Sequence, residues 1–308
     1  MRKYILTVTL NPALDRTVFL PRFAPDQEFY SRDARISAGG KGVNVSRALK
    51  KLGLKTLASG FLPDPDFAGF SGLLDQEAIK HDFFKVNGRL RHNMTLISKN
   101  HCRPTRILET GRTMVITQND LNGLLKKLLT CFKKAGCVVF SGSVPENVPY
   151  SYLARLVSAA KHSGLPVLVD TRGKTLLAAI KARPYLIKPN LEELAQLTNT
   201  PLSSLGLISQ TYGTKIALTL AERGALLAYG RTILKAKVPP IKPLNTVGCG
   251  DAFMAGLIKG MLEGVDESAM LRLAAACGTA AATSYLPADI NTRKLRQIYR
   301  KVTITAIS

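Results

Sequence analysis

Short apolar runs alternate with amphipathic stretches along most of this chain. Strand-like runs recur at Tyr4–Leu10, Leu57–Leu62, Cys137–Phe140, Pro166–Asp170, Tyr185–Ile187 and Lys215–Leu220. Helical spacing of apolar positions fills several of the gaps, at Val43–Leu52, Tyr150–His162 and Leu191–Leu197. Such alternation predicts an α/β fold, a mostly parallel central sheet with helices on both faces. Ligands of such sheets bind beyond the carboxyl ends of the strands, so the loops that follow each run are the places to look for chemistry. Two segments break the rhythm. Asp15–Ile36 and Asn93–Leu108 read as short alternating strands joined by polar turns, with no crossover helix. They predict either a small β-sheet lid over the main sheet or ordinary surface hairpins. From Gly248 the chain turns helical and Ala-rich through Thr283, and the turn-rich segment Pro287–Arg293 precedes one more helix.

Length changes this picture little. A chain of 308 residues with 46% hydrophobic residues holds one large α/β domain or two smaller ones, each with a real core. The reading adopted is a single domain over 1–308, with lid strands inserted at about 15–36 and 93–108. The run Tyr4–Leu10 is too short to span a bilayer, and it leads from Arg2 and Lys3 to Asn11-Pro12 without a small-residue cleavage site. It is expected to be the first strand, with no membrane association. Five cysteines (Cys102, Cys131, Cys137, Cys249 and Cys277) are scattered, with no CxxC pair or metal-ligand spacing, so free thiols and a cytoplasmic location are expected.

Charge is the unusual bulk property. The formal net charge is +22, which raises nucleic acid or membrane as partners. The excess is dispersed, however, over Arg47/Lys50/Lys51/Lys55, Arg89/Arg91/Lys99/Arg103/Arg106 and Arg293/Lys294/Arg296/Arg300/Lys301. No aromatic residues are interleaved for base stacking, and no helix-turn-helix or RNP pattern occurs. A basic surface spread in this way suits acidic small molecules, and no nucleic-acid partner is expected.

Three motifs carry candidate chemistry. Asn245-Thr-Val-Gly-Cys-Gly-Asp251 runs from an apolar segment into the helix predicted over Ala252–Leu262. Gly248, Cys249 and Gly250 would offer free backbone N–H groups at the positive end of a helix dipole, beside the Asp251 carboxylate. That arrangement suits phosphoryl transfer, with Asp251 as base; equally, Asp251 can simply cap the helix. Ala38-Gly-Gly-Lys-Gly-Val-Asn44 opens the helix Val43–Leu52, where glycines permit close approach to a ligand and Lys41 supplies a point charge; a flexible turn explains it as well. It is neither a Walker A loop nor a dinucleotide-binding fingerprint. Asn190 and Glu193, after the strand Tyr185–Ile187 and Lys188-Pro189, share a helical face; they can hold a hydrated Mg²⁺ or form a capping box. Ser141-Gly-Ser-Val-Pro145 lines a cleft or makes a turn. Four scattered histidines and the lack of a G-x-S-x-G elbow leave metal-hydrolase and serine-hydrolase readings without support.

The order and spacing of Gly-Gly-Lys-Gly-x-Asn near residue 40, Lys-Pro-Asn-x-x-Glu near 190 and Gly-x-Gly-Asp near 250 together resemble the PfkB/ribokinase family of sugar kinases. The likeness runs from Thr9-Leu-Asn-Pro-Ala-Leu-Asp15 through Gly278. It looks closest to the branch acting on phosphorylated ketohexoses, 1-phosphofructokinase and tagatose-6-phosphate kinase, because of Lys41, Lys188-Pro-Asn190 and Asn245.

The resemblance implies a ribokinase-like fold and ATP- and Mg²⁺-dependent phosphorylation of a ketohexose phosphate, foremost fructose 1-phosphate to fructose 1,6-bisphosphate. The alternatives are tagatose 6-phosphate or fructose 6-phosphate as substrate, or a sugar-phosphate-binding protein without turnover. It implies that Asp251 is the base and that the amides of Gly248, Cys249 and Gly250 form the anion hole. Asp15, Gly39, Gly40 and Asn44 would grip sugar hydroxyls, and Lys41 with Arg91, of Arg91-His-Asn93, would clamp the substrate's phosphate. Asn190 and Glu193 would organise Mg²⁺ through water, with Lys188, Thr219, Gly224 and Gly278 along the nucleotide. It also implies a homodimer through the lid. The chain departs from the family's pattern at Pro63-Asp-Pro-Asp66, Ala221, Cys249 and Thr110-Gly111-Arg112.

Overall fold

The computed structural model describes residues 4–31, 33–98, 104–111, 113–197 and 204–307. Arg2, Lys3, Lys99, Cys102, Arg103 and Arg112, singled out in the sequence, lie outside the described residues. The first half of the chain runs β1 (Tyr4–Thr9), β2 (Ala13–Leu20), β3 (Asp33–Gly39), α1 (Lys41–Lys51), β4 (Thr56–Pro63), α2 (Phe67–Gln76), β5 (Phe84–Gly88), β6 (Arg91–Ser98), β7 (Thr105–Leu108), β8 (Met114–Val115), α3 (Gln118–Phe132) and β9 (Ala135–Ser141). The second half runs α4 (Ser151–His162), β10 (Val167–Asp170), α5 (Gly173–Lys181), β11 (Leu186–Ile187), α6 (Leu191–Leu197), α7 (Leu205–Tyr212), β12 (Lys215–Thr219), β13 (Ala225–Tyr229), β14 (Thr232–Lys237), α8 (Cys249–Glu263), α9 (Glu267–Ala281), α10 (Thr292–Tyr299) and β15 (Thr303–Ile307).

The large sheet has the order β15-β14-β13-β12-β11-β10-β9-β1-β4-β5-β8, parallel from β12 to β5 and antiparallel beyond both ends. Each parallel strand sends alternate side chains to opposite cores. Leu6, Val8, Val138, Phe140, Val167, Val169 and Ile216 belong to one core. Ile5, Cys137, Val139, Leu168, Leu186 and Ala217 belong to the other, which they share with α1, α8, α9 and α10. Period-two alternation with both faces covered explains why these strands read as unbroken apolar runs. Burying one Leu or Phe here contributes roughly 2–3 kcal/mol. The antiparallel ribbon β13–β15 was not anticipated; its outer strands carry Lys235, Lys237 and Thr303 among the apolar positions, which blurs the pattern.

The second sheet exists, in the order β3-β2-β6-β7. Its strands begin earlier than expected, at Ala13 and Arg91, so the glycine cluster and the Arg91–Asn93 motif are both anchored to it. The departure at Pro63-Asp-Pro-Asp66 has a structural use: Asp66 Oδ2 accepts the backbone N–H of Leu90 at 2.7 Å, pinning the entry to β6. Among the described residues Cys131, Cys137, Cys249 and Cys277 are free thiols, and no helix is long and apolar enough to cross a membrane.

Candidate active site

Helix α8 begins earlier than its periodicity indicated, so Cys249, Gly250 and Asp251 form its first turn and Gly248 is the N-cap. Gly248 adopts φ 78°, and a Cβ there would stand 2.4 Å from the Ala288 nitrogen, so this turn requires glycine. No side chain caps the helix. Asp251 is 5% exposed, and its Oδ2 accepts a 2.9 Å hydrogen bond from Asn44 Nδ2. The capping alternative therefore finds no support: the carboxylate faces α1, while the first-turn amides have no intrahelical carbonyl to pair with. Burial and the Asp170 carboxylate push the Asp251 carboxyl up to about 6, against the pull of Lys41, the Asn44 hydrogen bond and Lys188. A carboxylate poised there accepts a proton near neutral pH. Burial pushes the Cys249 thiol up to about 12, aided by Asp251, so it is a neutral small side chain in this turn.

Asp170, at the carboxyl end of β10, organises the floor of the site. It is fully buried, with Oδ1 3.1 Å from Lys41 Nζ and Oδ2 3.3 Å from both Lys188 Nζ and Ser141 Oγ. Burial would raise its pKa, but Lys188 and Lys41 outweigh that and hold it below the usual carboxylate range. Lys41 Nζ also lies 3.8 Å from Glu193 Oε1. Burial pulls the Lys41 ammonium down, yet Asp170, Asp251 and Glu193 outweigh it, so the group stays charged. These partners differ from the pairing expected with Arg91. The ammonium stands among the carboxylates between α1, β10 and α6.

Asn190 and Glu193 make the capping box: Glu193 N–H donates to Asn190 Oδ1 at 2.8 Å, and Asn190 N–H donates to Glu193 Oε2 at 2.9 Å. Outside that exchange stand Glu193 Oε1, which faces Lys41, and the Asn190 side-chain NH₂.

Arg91 sits across the glycine cluster. Its Nη2 donates to the Asn11 carbonyl at 3.2 Å, and Asn11 Nδ2 donates to Ser143 Oγ at 3.2 Å. That ties the β1, β9 and β6 ends together. Arg91 Nε is buried with no hydrogen-bond partner among the described residues. Burial draws its pKa down against the pull of Asp15, and the Arg172 and Arg106 guanidiniums add to the fall. Asn93 Nδ2 donates to Asp15 Oδ1 at 2.8 Å, as the register of β2 against β6 dictates. Burial pushes the Asp15 carboxyl up, although the Asn93 bond and the Arg47, Arg91 and Arg106 charges oppose it. Gly39 closes this side, because a Cβ there would lie 2.3 Å from Asp15 Oδ2.

A cleft of about 1060 Å³ opens from the start of α8 away from Asp15. Asn190, Thr219, Gly224 and Gly278 all line it, together with Val238, Phe253, Ala275 and Gly250. Its apolar side chains, with polar ones such as Asn190, Thr219 and Arg223 among the lining, suit a flat heterocycle carrying an anion toward the helix start. Lys188 and Glu193 stand outside this lining; Lys188 Nζ lies 3.4 Å from where a Cβ on Gly250 would stand.

The structure thus gathers Asp15, Gly39, Gly40, Lys41, Asn44, Arg91, Asn93 and Asp251 at one end and the four cleft residues at the other. Sequence reading missed Asp170, Arg47, Arg106 and Arg172 as members. The one available signal was Asp170, a polar residue ending an apolar parallel strand. Asn245, buried, donates to the Tyr285 carbonyl and accepts from the Val247 N–H, so it shapes the turn before α8.

A buried carboxylate at a glycine-bounded helix start, flanked by two lysines, is chemistry suited to moving a phosphoryl group onto a hydroxyl. Comparison gives the same class. Residues 9–293 match the pfkB family of carbohydrate kinases. The chain is 30% identical over 313 residues to a tagatose-6-phosphate kinase of Staphylococcus epidermidis, covering 98% of this chain and 100% of the relative. Phosphofructokinase-2 from Escherichia coli superposes with a TM-score of 0.89 at 25% identity, covering 98% and 99% of the two chains. A possible 1-phosphofructokinase from Thermotoga maritima gives 0.89 at 25%, covering 99% and 100%. The chain belongs to the pfkB family and is an ATP-dependent carbohydrate kinase.

Proposed function

We propose that the acceptor is a ketohexose already carrying one phosphate, with fructose 1-phosphate, giving fructose 1,6-bisphosphate, as the first candidate. The observation that carries this reading is Arg91 itself, beside Asp15 in the same site: its guanidinium has an unsatisfied buried N–H and two further guanidiniums nearby. A phosphate matches such a cluster bidentately and with opposite charge, whereas the hydroxyls of a neutral sugar leave its positive charge unbalanced.

In this reading Arg91 takes the substrate's own phosphate, and Asp15, Asn44 and the Gly39-Gly40 backbone hold its hydroxyls. Asp251 removes the proton from the free hydroxyl as that oxygen attacks the terminal phosphorus of ATP. The bond from phosphorus to the ADP oxygen breaks, and the departing charge stays on ADP. The amides of Gly248, Cys249 and Gly250 receive the transferred group's oxygens. Lys41, expected beside Arg91, serves instead between base and nucleotide, where it offsets charge on the phosphoryl group in flight.

Glu193 Oε1, the carboxylate oxygen outside the capping box and 3.8 Å from Lys41 Nζ, would hold a hydrated Mg²⁺ through water, since among the described residues no cluster of three or more acidic, His or Cys donors forms a dedicated cage. When bound, the ion would offset negative charge on the phosphates.

A coupled assay for ADP release with ATP, Mg²⁺ and a panel of phosphorylated ketohexoses tests the reading. Fructose 1-phosphate is expected to give the highest kcat/KM. Preference for tagatose 6-phosphate or fructose 6-phosphate would replace the candidate within the same chemistry. Binding without turnover on every substrate would restore the non-catalytic alternative.

The small sheet supports a homodimer formed through the lid. Ile36 and Ile107 on it are 58% and 57% exposed, which is apolar surface suited to a second copy. A monomer by sedimentation at micromolar concentration would overturn that arrangement.

A further inference from the structure

Behind the base, four side chains form a hydrogen-bonded line that ends at the surface. Asn44 Nδ2 donates to Asp251 Oδ2 at 2.9 Å, and Asn44 Oδ1 accepts from Arg47 Nη1 at 2.6 Å. Arg47 Nη2 donates to Glu77 Oε1 at 2.7 Å and to the Ala38 carbonyl at 2.8 Å, and its Nε donates to Glu77 Oε2. Asn44 and Arg47 are 5% and 7% exposed and stand one turn apart on α1, side by side. Glu77 follows α2 and is partly exposed.

The chemistry of an amide makes this line directional. One end of the Asn44 side chain donates and the other accepts, while a guanidinium only donates. Arg47 therefore requires the Asn44 oxygen to face it, which leaves the NH₂ facing Asp251. With the amide reversed, its oxygen would meet the carboxylate and its NH₂ the guanidinium, and both contacts would repel. We infer that Arg47, held by Glu77, is a positioning residue that fixes the direction of the Asn44 amide and so keeps the Asp251 carboxylate ionised and aimed at the substrate hydroxyl. This rests on the reading of Asp251 as base.

The other charged groups facing Asp251 are Lys41 from α1, Asp170 from the end of β10 and Lys188 from the segment after β11. They remain when Arg47 is changed. Arg47 also favours the ionised form of Asp15, a second route by which its loss reaches the substrate end of the cleft.

The test compares the full chain with Arg47→Met, Arg47→Lys and Glu77→Gln, measuring kcat and KM from about pH 5 to about pH 9 with ATP, Mg²⁺ and the ketohexose phosphate that turns over. Arg47→Met is expected to lower kcat roughly 10- to 100-fold while the sugar-phosphate KM changes less than about threefold. The acid limb of its kcat profile should move up by roughly half a pH unit or more, because an unheld amide no longer stabilises the anion. Lysine, still a donor, should restore part of kcat and an intermediate limb.

A folded Arg47→Met protein with an unmoved acid limb, or with its loss wholly in KM, overturns the inference. If that variant does not fold, Glu77→Gln decides by the same shift: upward supports, a superimposable profile overturns. Asp251→Asn separates the two levels. Wild-type turnover in Asp251→Asn removes the base reading itself, whereas an inactive Asp251→Asn beside an unmoved Arg47→Met profile removes only Arg47's part.

Discussion

The two ends of the cleft are built on different principles. At the end that carries Asp15 and Arg91, polar side chains are held by other side chains: Asp15 by Asn93, Asn44 by Arg47, and Lys41 by Asp170. At the end that opens to Thr219 and Gly278, apolar side chains such as Val238, Ile241 and Phe253 and the backbone of three glycines make up much of the wall, with Glu192, Glu222 and Arg223 among the polar residues that also line it. Fixed, mutually satisfied donors and acceptors discriminate between ligands by where their polar groups lie, and a misplaced hydroxyl or phosphate leaves a buried partner unpaired. Apolar walls bind by area and discriminate weakly. In the proposed reading acceptor choice therefore belongs to the first end, and nucleotide binding to the second. Asp251 sits at their junction.

Changes at the junction should hurt most. Asp251→Asn is expected to lower kcat by about 10² to 10⁴-fold while both ligands still bind, measured by steady-state kinetics beside equilibrium binding. A variant that turns over normally would dissolve the distinction between the two ends, since neither would then serve a base.

Acidity offers a second way in. With Asp251 as the proposed base, catalysis needs its carboxylate ionised, and burial with Asp170 pushes it up to about 6. As pH falls through that value the base becomes protonated, so kcat should drop about tenfold for each further unit, and should be flat above it until another group intervenes. The folded protein holds this proton more readily than the unfolded chain, so Asp251 by itself contributes stability that is present at acid pH and lost as pH rises through about 6. Asp170 carries the opposite sign, because its folded pKa is depressed: its contribution is present above the unfolded value and lost on acidification.

The first end alone is addressed by Arg91→Ala. It is expected to raise KM for the sugar phosphate by roughly 10- to 100-fold and to leave KM for ATP unchanged, the loss of charge-assisted hydrogen bonds to one phosphate. An equal rise in both constants would show that the ends are not separate.

The smallest effect belongs to the second end. Ala221 takes φ 53° at a loop position where glycine would sit without strain. Ala221→Gly is expected to relieve about 1 kcal/mol of local strain, offset partly by unfolded-state entropy, and to raise the melting temperature by a degree or two without altering acceptor preference.

Much of this arrangement was legible from residue order. The glycine clusters at 38–44 and 245–251 marked two helix starts that meet at one site, and the apolar runs marked strands buried on both faces. Asn190 and Glu193 were legible only as alternatives, because a capping box and a metal-facing pair use the same spacing. Thr219, Gly224 and Gly278, expected along the nucleotide, do share one cavity. The neighbours of Lys41, Asp170 and Glu193, were not legible: a lysine in a glycine loop advertises its charge and hides its direction.

Sequence alone located the parallel strands β1, β4 and β9 to β12 and the helices α1, α4, α6 and α8 to within a few residues, though not the ribbon β13–β15, since periodicity and turn chemistry act over a few residues. The partners of the charged groups were decided by sheet order, which sets β10 between β9 and β11 and thereby brings Asp170 between Lys41 and Lys188. The contact from Asn44 to Asp251 spans 207 positions and has no local signature. A carboxylate's charge state depends on which dipoles and ions surround it in space, and those neighbours exist only once the sheet has closed over the site.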